Sequence, residues 1–158
     1  MLPTEDGDFR LVSFQDTIEN ELHLALVMGH IDPQAPILVR VHMQNILCDL
    51  FGTRRSDCGW PLRSALRRVA REGTGVVLLL RKREDARELV RRIRDYELHD
   101  PDIEVPRRNE SRDLRTYGIG AQILSDLGVH KMRVLSAPKT IYGLSGFDME
   151  IVEYVTCD

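Results

Sequence analysis

At 158 residues, 42% of them hydrophobic, the chain can bury one sizeable core and is too short for two large ones. No run of 18 apolar residues and no charged-then-apolar leader occurs, which argues against a spanning helix or secretory signal and predicts a soluble, cytoplasmic protein. Three cysteines cannot all pair, so a secreted disulfide scaffold is not expected and a reducing compartment is.

The net charge of -3 conceals an asymmetry: residues 54–94 carry 13 Lys/Arg against 5 Asp/Glu, and the rest of the chain 9 against 20. Such a basic middle fits an anionic partner, an acidic neighbour, or simply two amphipathic helices with solvated Arg faces. Recognition of nucleic acid is not expected, because only Trp60 and Tyr96 offer stacking surfaces near that segment.

In chain order, Pro3 and a Gly7 turn precede an alternating stretch, Phe9, Leu11 and Ser13 against Arg10, Val12 and Phe14, which predicts a strand. Residues 22–28 (LHLALVM) predict a second strand ended by Gly29, with His23 as a hydrogen-bonded core histidine. Residues 36–42 (PILVRVH) follow the Asp32-Pro33 turn as a third.

The period then changes. Leu62, Leu66, Val69 and Ala70 recur at helical spacing, with Pro61 suited to the first turn and Gly73 to the stop. Residues 75–80 (GVVLLL) read as a strand covered on both faces. A helix is predicted over 84–96 with Ala86, Leu89, Val90 and Ile93 on one stripe, then a long polar loop over 99–112.

A further helix is predicted over about 117–127, with Ile119, Ile123, Leu124 and Leu127 inward and Gly128 as its cap, then strands at 132–135 and 150–155. A β-rich N-terminal half followed by alternating strands and helices predicts an α/β layered fold, with a mixed, partly parallel sheet and flanking helices. One domain is expected over residues 1–158.

Several segments then fall into a recognisable order: Leu2-Pro3-Thr4 with Gly7-Asp8-Phe9, Arg40-Val41-His42, Asp57-Cys58-Gly59, and Glu72-Gly73-x-Gly75. Arg115-x-Tyr117-Gly118-Ile119-Gly120-Ala121-Gln122-Ile123-Leu124 and Asp126-Leu127-Gly128-Val129 complete it. Together they resemble the GTP cyclohydrolase II family, zinc enzymes that open the imidazole ring of GTP at the start of riboflavin synthesis. The resemblance implies the layered fold of that family over nearly the whole chain.

It also implies a three-thiolate zinc site on the pattern Cys-x10-Cys-x-Cys, which here falls on Asn45, Ser56 and Cys58. An amide and a hydroxyl replace two thiolates, and both are poor zinc donors at neutral pH. No metal or other cofactor is therefore expected, zinc having been lost. A site rebuilt from His42, Cys48 and Cys58 is the weaker reading, since isolated cysteines are more often small buried apolar residues. The family's glycine-rich nucleotide loop is replaced by residues 82–88 (KREDARE), which contain no glycine and favour a continuous helix start.

By the same resemblance Asp113 is a vestigial proton acceptor and Arg115 a vestigial phosphate-chain arginine, unless Asp113 merely caps the following helix. Arg40, His42, Ser136 and Lys139 are the candidate nucleotide-binding residues, with weak GTP or phosphate binding expected of them. The implied function is a catalytically degenerate GTP cyclohydrolase II-like domain, structural, dimerising or regulatory. It would be fused to a 3,4-dihydroxy-2-butanone 4-phosphate synthase, and a homodimer is expected. An opening at the family's first motif is what a domain cut from such a fusion would show. The alternative is an active GTP cyclohydrolase II, releasing formate and pyrophosphate from GTP.

Overall fold

Hydrophobic alternation in the first half and uninterrupted apolar runs in the second build one mixed sheet. A computed structural model describes residues 1–53, 55, 58–98, 110–138 and 143–156, with residues 110–113 described by backbone alone. Its strands are β1 (Leu2–Thr4), β2 (Gly7–Asp16), β3 (Glu21–Met28), β4 (Pro36–Met43), β5 (Gly75–Leu80), β6 (Lys131–Leu135) and β7 (Glu150–Val155). The helices are α1 (Ile46–Phe51), α2 (Leu62–Glu72), α3 (Ala86–Leu98) and α4 (Glu110–Asp126), with a 3-10 turn at Leu144–Phe147.

The strand order is β1-β2-β3-β5-β4-β6-β7. The pairs β1–β2, β2–β3 and β3–β5 are antiparallel, whereas β5–β4, β4–β6 and β6–β7 are parallel. The predicted mixed, partly parallel sheet is therefore present, its antiparallel part formed by the β-rich N-terminal strands.

Side-chain alternation assigns the layers. On one face Ala25, Val27, Ile37, Val39, Val76 and Leu78 pack with Ala121, Ile123 and Leu124 of α4. On the other, Phe9, Leu26, Leu38 and Val77 pack with Ala65 and Val69 of α2. Val76, Val77 and Leu78 of β5 are wholly buried, as the apolar run predicts. Each such side chain contributes about 1.5–3 kcal/mol on burial. Gly75 is demanded by contact: a Cβ there would lie 2.7 Å from the Leu38 carbonyl oxygen and 3.0 Å from a Val69 methyl.

The basic segment is largely answered within the chain. Arg63 pairs with Glu5, Arg67 with Asp6, Arg68 with Glu72, Arg83 with Glu21 and Arg92 with Glu84. The acidic neighbours are thus the chain's own N-terminal turn, its β2–β3 hairpin and its helix ends.

Several expectations are corrected. β1 and α1 were not predicted; α1 is a six-residue helix with no buried residue, too short for a periodic signal. α3 starts at Ala86 rather than at 84, because the Asp85 carboxylate accepts a hydrogen bond from the Arg87 N–H. Its apolar stripe is not buried: Val90 and Ile93 are exposed, and no α3 residue is buried. α4 starts at Glu110 instead of 117, so residues 110–112 of the predicted loop are helical; no Gly or Pro interrupts the sequence between Arg107 and Tyr117. The remainder of that loop, residues 99–109, lies outside the described residues.

Candidate functional site at the carboxyl end of the central strands

The parallel strands β4 and β6 carry Arg40, His42 and, just past β6, Ser136 toward their carboxyl ends, the end where open α/β sheets take their ligands. Arg40 and His42 lie on β4 two residues apart, so both fall on the face that Leu38 shares with α2. Both are buried. The Arg40 guanidinium donates to the Leu135 carbonyl at 2.9 Å and to the Trp60 carbonyl at 3.0 Å, tying β4 to the end of β6 and to the entry of α2. Trp60 in turn donates its indole N–H to the Val155 carbonyl on β7 at 3.0 Å.

His42 continues the chain of contacts. Its Nε2 lies 2.8 Å from Asp49 Oδ1 on α1, and its Nδ1 is 3.5 Å from an Arg40 nitrogen. A neutral ring protonated at Nε2 satisfies both, donating to Asp49 and accepting from Arg40. Burial lowers the His42 pKa; the Asp49 carboxylate opposes that shift and Arg40 adds to it. Asp49 also accepts from the Asn45 backbone N–H at 2.9 Å, which draws the start of α1 onto β4.

The three positions of the family's zinc pattern have other occupations where they are described. Asn45 is the N-cap of α1: its side-chain oxygen accepts from the Leu47 and Cys48 N–H groups and from Arg92. Cys58 is bonded to Cys48 in a disulfide with a Cα–Cα distance of 5.8 Å. Ser56 lies outside the described residues. The donor set does not fit zinc, since an engaged amide carbonyl and a disulfide sulfur are not the anionic soft donors the ion requires. Among the described residues no group of three or more His, Cys, Asp or Glu is arranged to hold a metal ion.

This disulfide corrects the reading of Cys48 and Cys58 as isolated, buried apolar residues. Both are partly exposed. α1 ends at Gly52 in the left-handed conformation (φ 59°), which turns the chain out of the helix between the two cysteines.

Ser136 follows β6, is buried, and turns its hydroxyl to the neighbouring Ala137 carbonyl at 2.9 Å. Lys139 lies outside the described residues. Asp113 is the fourth residue of α4, so it stands in the first helical turn instead of capping it; nothing further of it is described. Arg115 is on the opposite face of the sheet from Arg40. Its guanidinium is 3.3 Å from Asp16 and 3.3 Å from Glu19 at the β2–β3 hairpin. The Ile18 N–H hydrogen bond, followed by Glu19 N–H and Arg115, holds the Asp16 carboxyl below the ordinary value against some desolvation. The structure therefore joins Arg40 and His42 but separates them from Arg115.

Close to that hairpin, His23 is the hydrogen-bonded core histidine expected: its Nδ1 accepts from the Arg81 N–H at 3.1 Å. Desolvation lowers its pKa despite the nearby Asp16, Glu21 and Glu19 charges. Asp49, the Arg115 carboxylates and the Cys48–Cys58 bond escaped the sequence reading. The signal for α1 was present as Asn45 before a short apolar run and Gly52 after it.

The model of the family described as GTP cyclohydrolase II matches residues 1–156. The riboflavin biosynthesis protein RibBA of Bacillus cytotoxicus is 42% identical over 159 residues, covering 98% of this chain and 40% of that protein. RibBA of Chlorobium phaeovibrioides is likewise 42% identical, over 98% of this chain and 39% of its own length. The chain thus spans about two-fifths of the curated relatives it matches. A solved structure of RibBX from A. baumannii, described as a two-domain 3,4-dihydroxy-2-butanone 4-phosphate synthase, superposes with a TM-score of 0.66. It is 30% identical and covers 99% of this chain and 38% of that one. No helix among the described residues is long and apolar enough to cross a membrane.

Proposed function

This chain belongs to the GTP cyclohydrolase II family, and we propose that it is a degenerate member without the family's zinc chemistry. Its role is structural, dimerising or regulatory, beside a 3,4-dihydroxy-2-butanone 4-phosphate synthase domain in the same cytoplasmic polypeptide. One observation carries this reading. Of the three positions where the family pattern puts zinc thiolates, Asn45 is spent on capping α1 and Cys58 on a disulfide with Cys48.

Three further observations support it. Arg40 holds two backbone carbonyls, and Arg115 faces two carboxylates, so both arginines would have to exchange partners to grip a triphosphate. Residues 81–85, before α3, contain no glycine to let a backbone approach phosphate closely. The RibBX structure, whose domain of this fold accompanies a protein described as a synthase, fits the same arrangement. Any remaining nucleotide binding, through Arg40, His42, Ser136 or Lys139, is then weak.

The test is zinc per chain by elemental analysis on protein prepared without chelators, with formate release from GTP followed on the same sample. Zinc far below one per chain with no formate supports a degenerate domain. The 42% identity to RibBA proteins keeps the active enzyme as the second reading. Stoichiometric zinc with formate and pyrophosphate release would establish it and remove the first. Expression with and without the synthase domain, followed by synthase activity and sedimentation, then separates a supporting role from none.

A further inference from the structure

We propose that Cys48 and Cys58 are a reversible dithiol–disulfide pair, a redox modification site that closes the segment between β4 and α2 covalently. This rests on the proposed loss of zinc, since a metal in the segment would compete for Cys58.

α1 has six residues and buries none of them, so it lacks both the length and the packing that hold a helix in place. Its polar attachments among the described residues include the Asn45 cap with Arg92, and the Asp49 carboxylate on His42 and the Asn45 N–H. The disulfide adds a covalent link from α1 to Cys58, beside Gly59 and Trp60, whose carbonyl accepts from Arg40. It therefore ties the helix whose Asp49 meets buried His42 to the segment before α2, whose Trp60 carbonyl accepts from Arg40 on the same strand as His42.

Both cysteines are partly exposed, so a small thiol can reach them. The reactant class is a low-molecular-weight disulfide such as oxidised glutathione.

The exchange balances in two steps. The thiolate of one cysteine attacks a sulfur of the small disulfide, forming a mixed disulfide and expelling one small thiolate, which takes up the proton released. The second cysteine, also deprotonated, attacks the protein-side sulfur, forming Cys48–Cys58 and expelling the second small thiol. Two protein thiols are oxidised to one disulfide, and one small disulfide is reduced to two thiols. The reverse, driven by reduced glutathione, frees α1 to leave His42.

The experiment equilibrates the full chain, in a Cys157→Ser background, over a range of reduced to oxidised glutathione ratios. Thiols are trapped by alkylation and counted by intact mass. Amide exchange of residues 46–52 and zinc content are measured on the same samples. We expect two alkylations at the reducing end and none at the oxidising end, with faster exchange over 46–52 on reduction. Cys48→Ser should show the fast exchange at every ratio. Alkylation of both cysteines at every ratio overturns the proposal, and so does a bond that excess dithiothreitol leaves intact in the native protein. One zinc per reduced chain, released on oxidation, overturns the proposed function as well; the two other failures leave that function standing.

Discussion

His42 Nε2 and Asp49 Oδ1 lie 2.8 Å apart, a contact between the buried end of β4 and a helix that buries nothing of its own. Through it a polar chain runs from the Leu135 and Trp60 carbonyls to Arg40, His42, Asp49 and the Asn45 N–H. Residues expected at a nucleotide are here joined into a bracket between strands and helices.

Arg40 should therefore act as a structural residue. Replacing it with Met leaves two buried carbonyls without their donor, at a cost on the order of 2–4 kcal/mol. Urea unfolding followed by the single tryptophan, Trp60, measures this directly. A variant of unchanged stability with weakened GTP binding would instead return Arg40 to a ligand-binding role.

Acid should weaken the fold in a window set by histidine. His42 and His23 both have folded pKa values lowered by burial. Below about pH 6.5 the unfolded chain takes up protons that the folded chain refuses, so stability falls as pH drops from there toward the folded values. The lowered carboxyls of Asp16 and Glu72 act in a separate, more acidic window. Urea midpoints between pH 8 and pH 5 should decline, and His42→Gln should flatten part of that decline. A flat profile would contradict the burial of neutral histidines.

Arg115 faces Asp16 and Glu19, so removing those charges should release it toward anions. The double variant Asp16→Asn, Glu19→Gln is expected to bind pyrophosphate several-fold more tightly than the parent by calorimetry, and adding Arg115→Ala should erase the gain. Equal affinity in all three proteins would mean that Arg115 has no anion-binding capacity to restore.

Two glycines should respond with opposite sign. At Gly75 an added methyl meets the Leu38 carbonyl and Val69, and Gly75→Ala should cost about 1–3 kcal/mol or more. At Gly118, inside α4, a Cβ meets nothing among the described residues within 4 Å, so Gly118→Ala should stabilise by roughly 0.5–1 kcal/mol. Thermal melts of the two variants beside the parent decide both.

Loss of the Cys48–Cys58 link should cost up to about 3 kcal/mol in oxidised protein, the loop-closure value for a ring of this size. Cys48→Ser measured with and without reductant checks this. The difference from the parent should vanish once the parent is reduced.

Apart from the three-residue β1, the strands were legible because their signals are local. Residues 75–80 are continuously apolar, and those residues form β5, buried on both faces. The order of short motifs along the chain was enough to point to the family. The sequence by itself also determined that two zinc positions hold Asn45 and Ser56, because residue type alone sets donor chemistry.

The partners of those residues depended on the tertiary structure. α1 lacks periodicity, and the neighbours that hold it come from β4 and α3, 2.8 Å from Asp49 and 3.3 Å from Asn45. Arg115 meets Asp16 across 99 residues of sequence, and Arg40 meets Leu135 across 95. Cys48 and Cys58 are a bonded pair with Cα atoms 5.8 Å apart, although ten positions separate them in sequence. Contacts of that kind depend on how faces of the sheet and loops come together in space, and neither spacing nor composition encodes that.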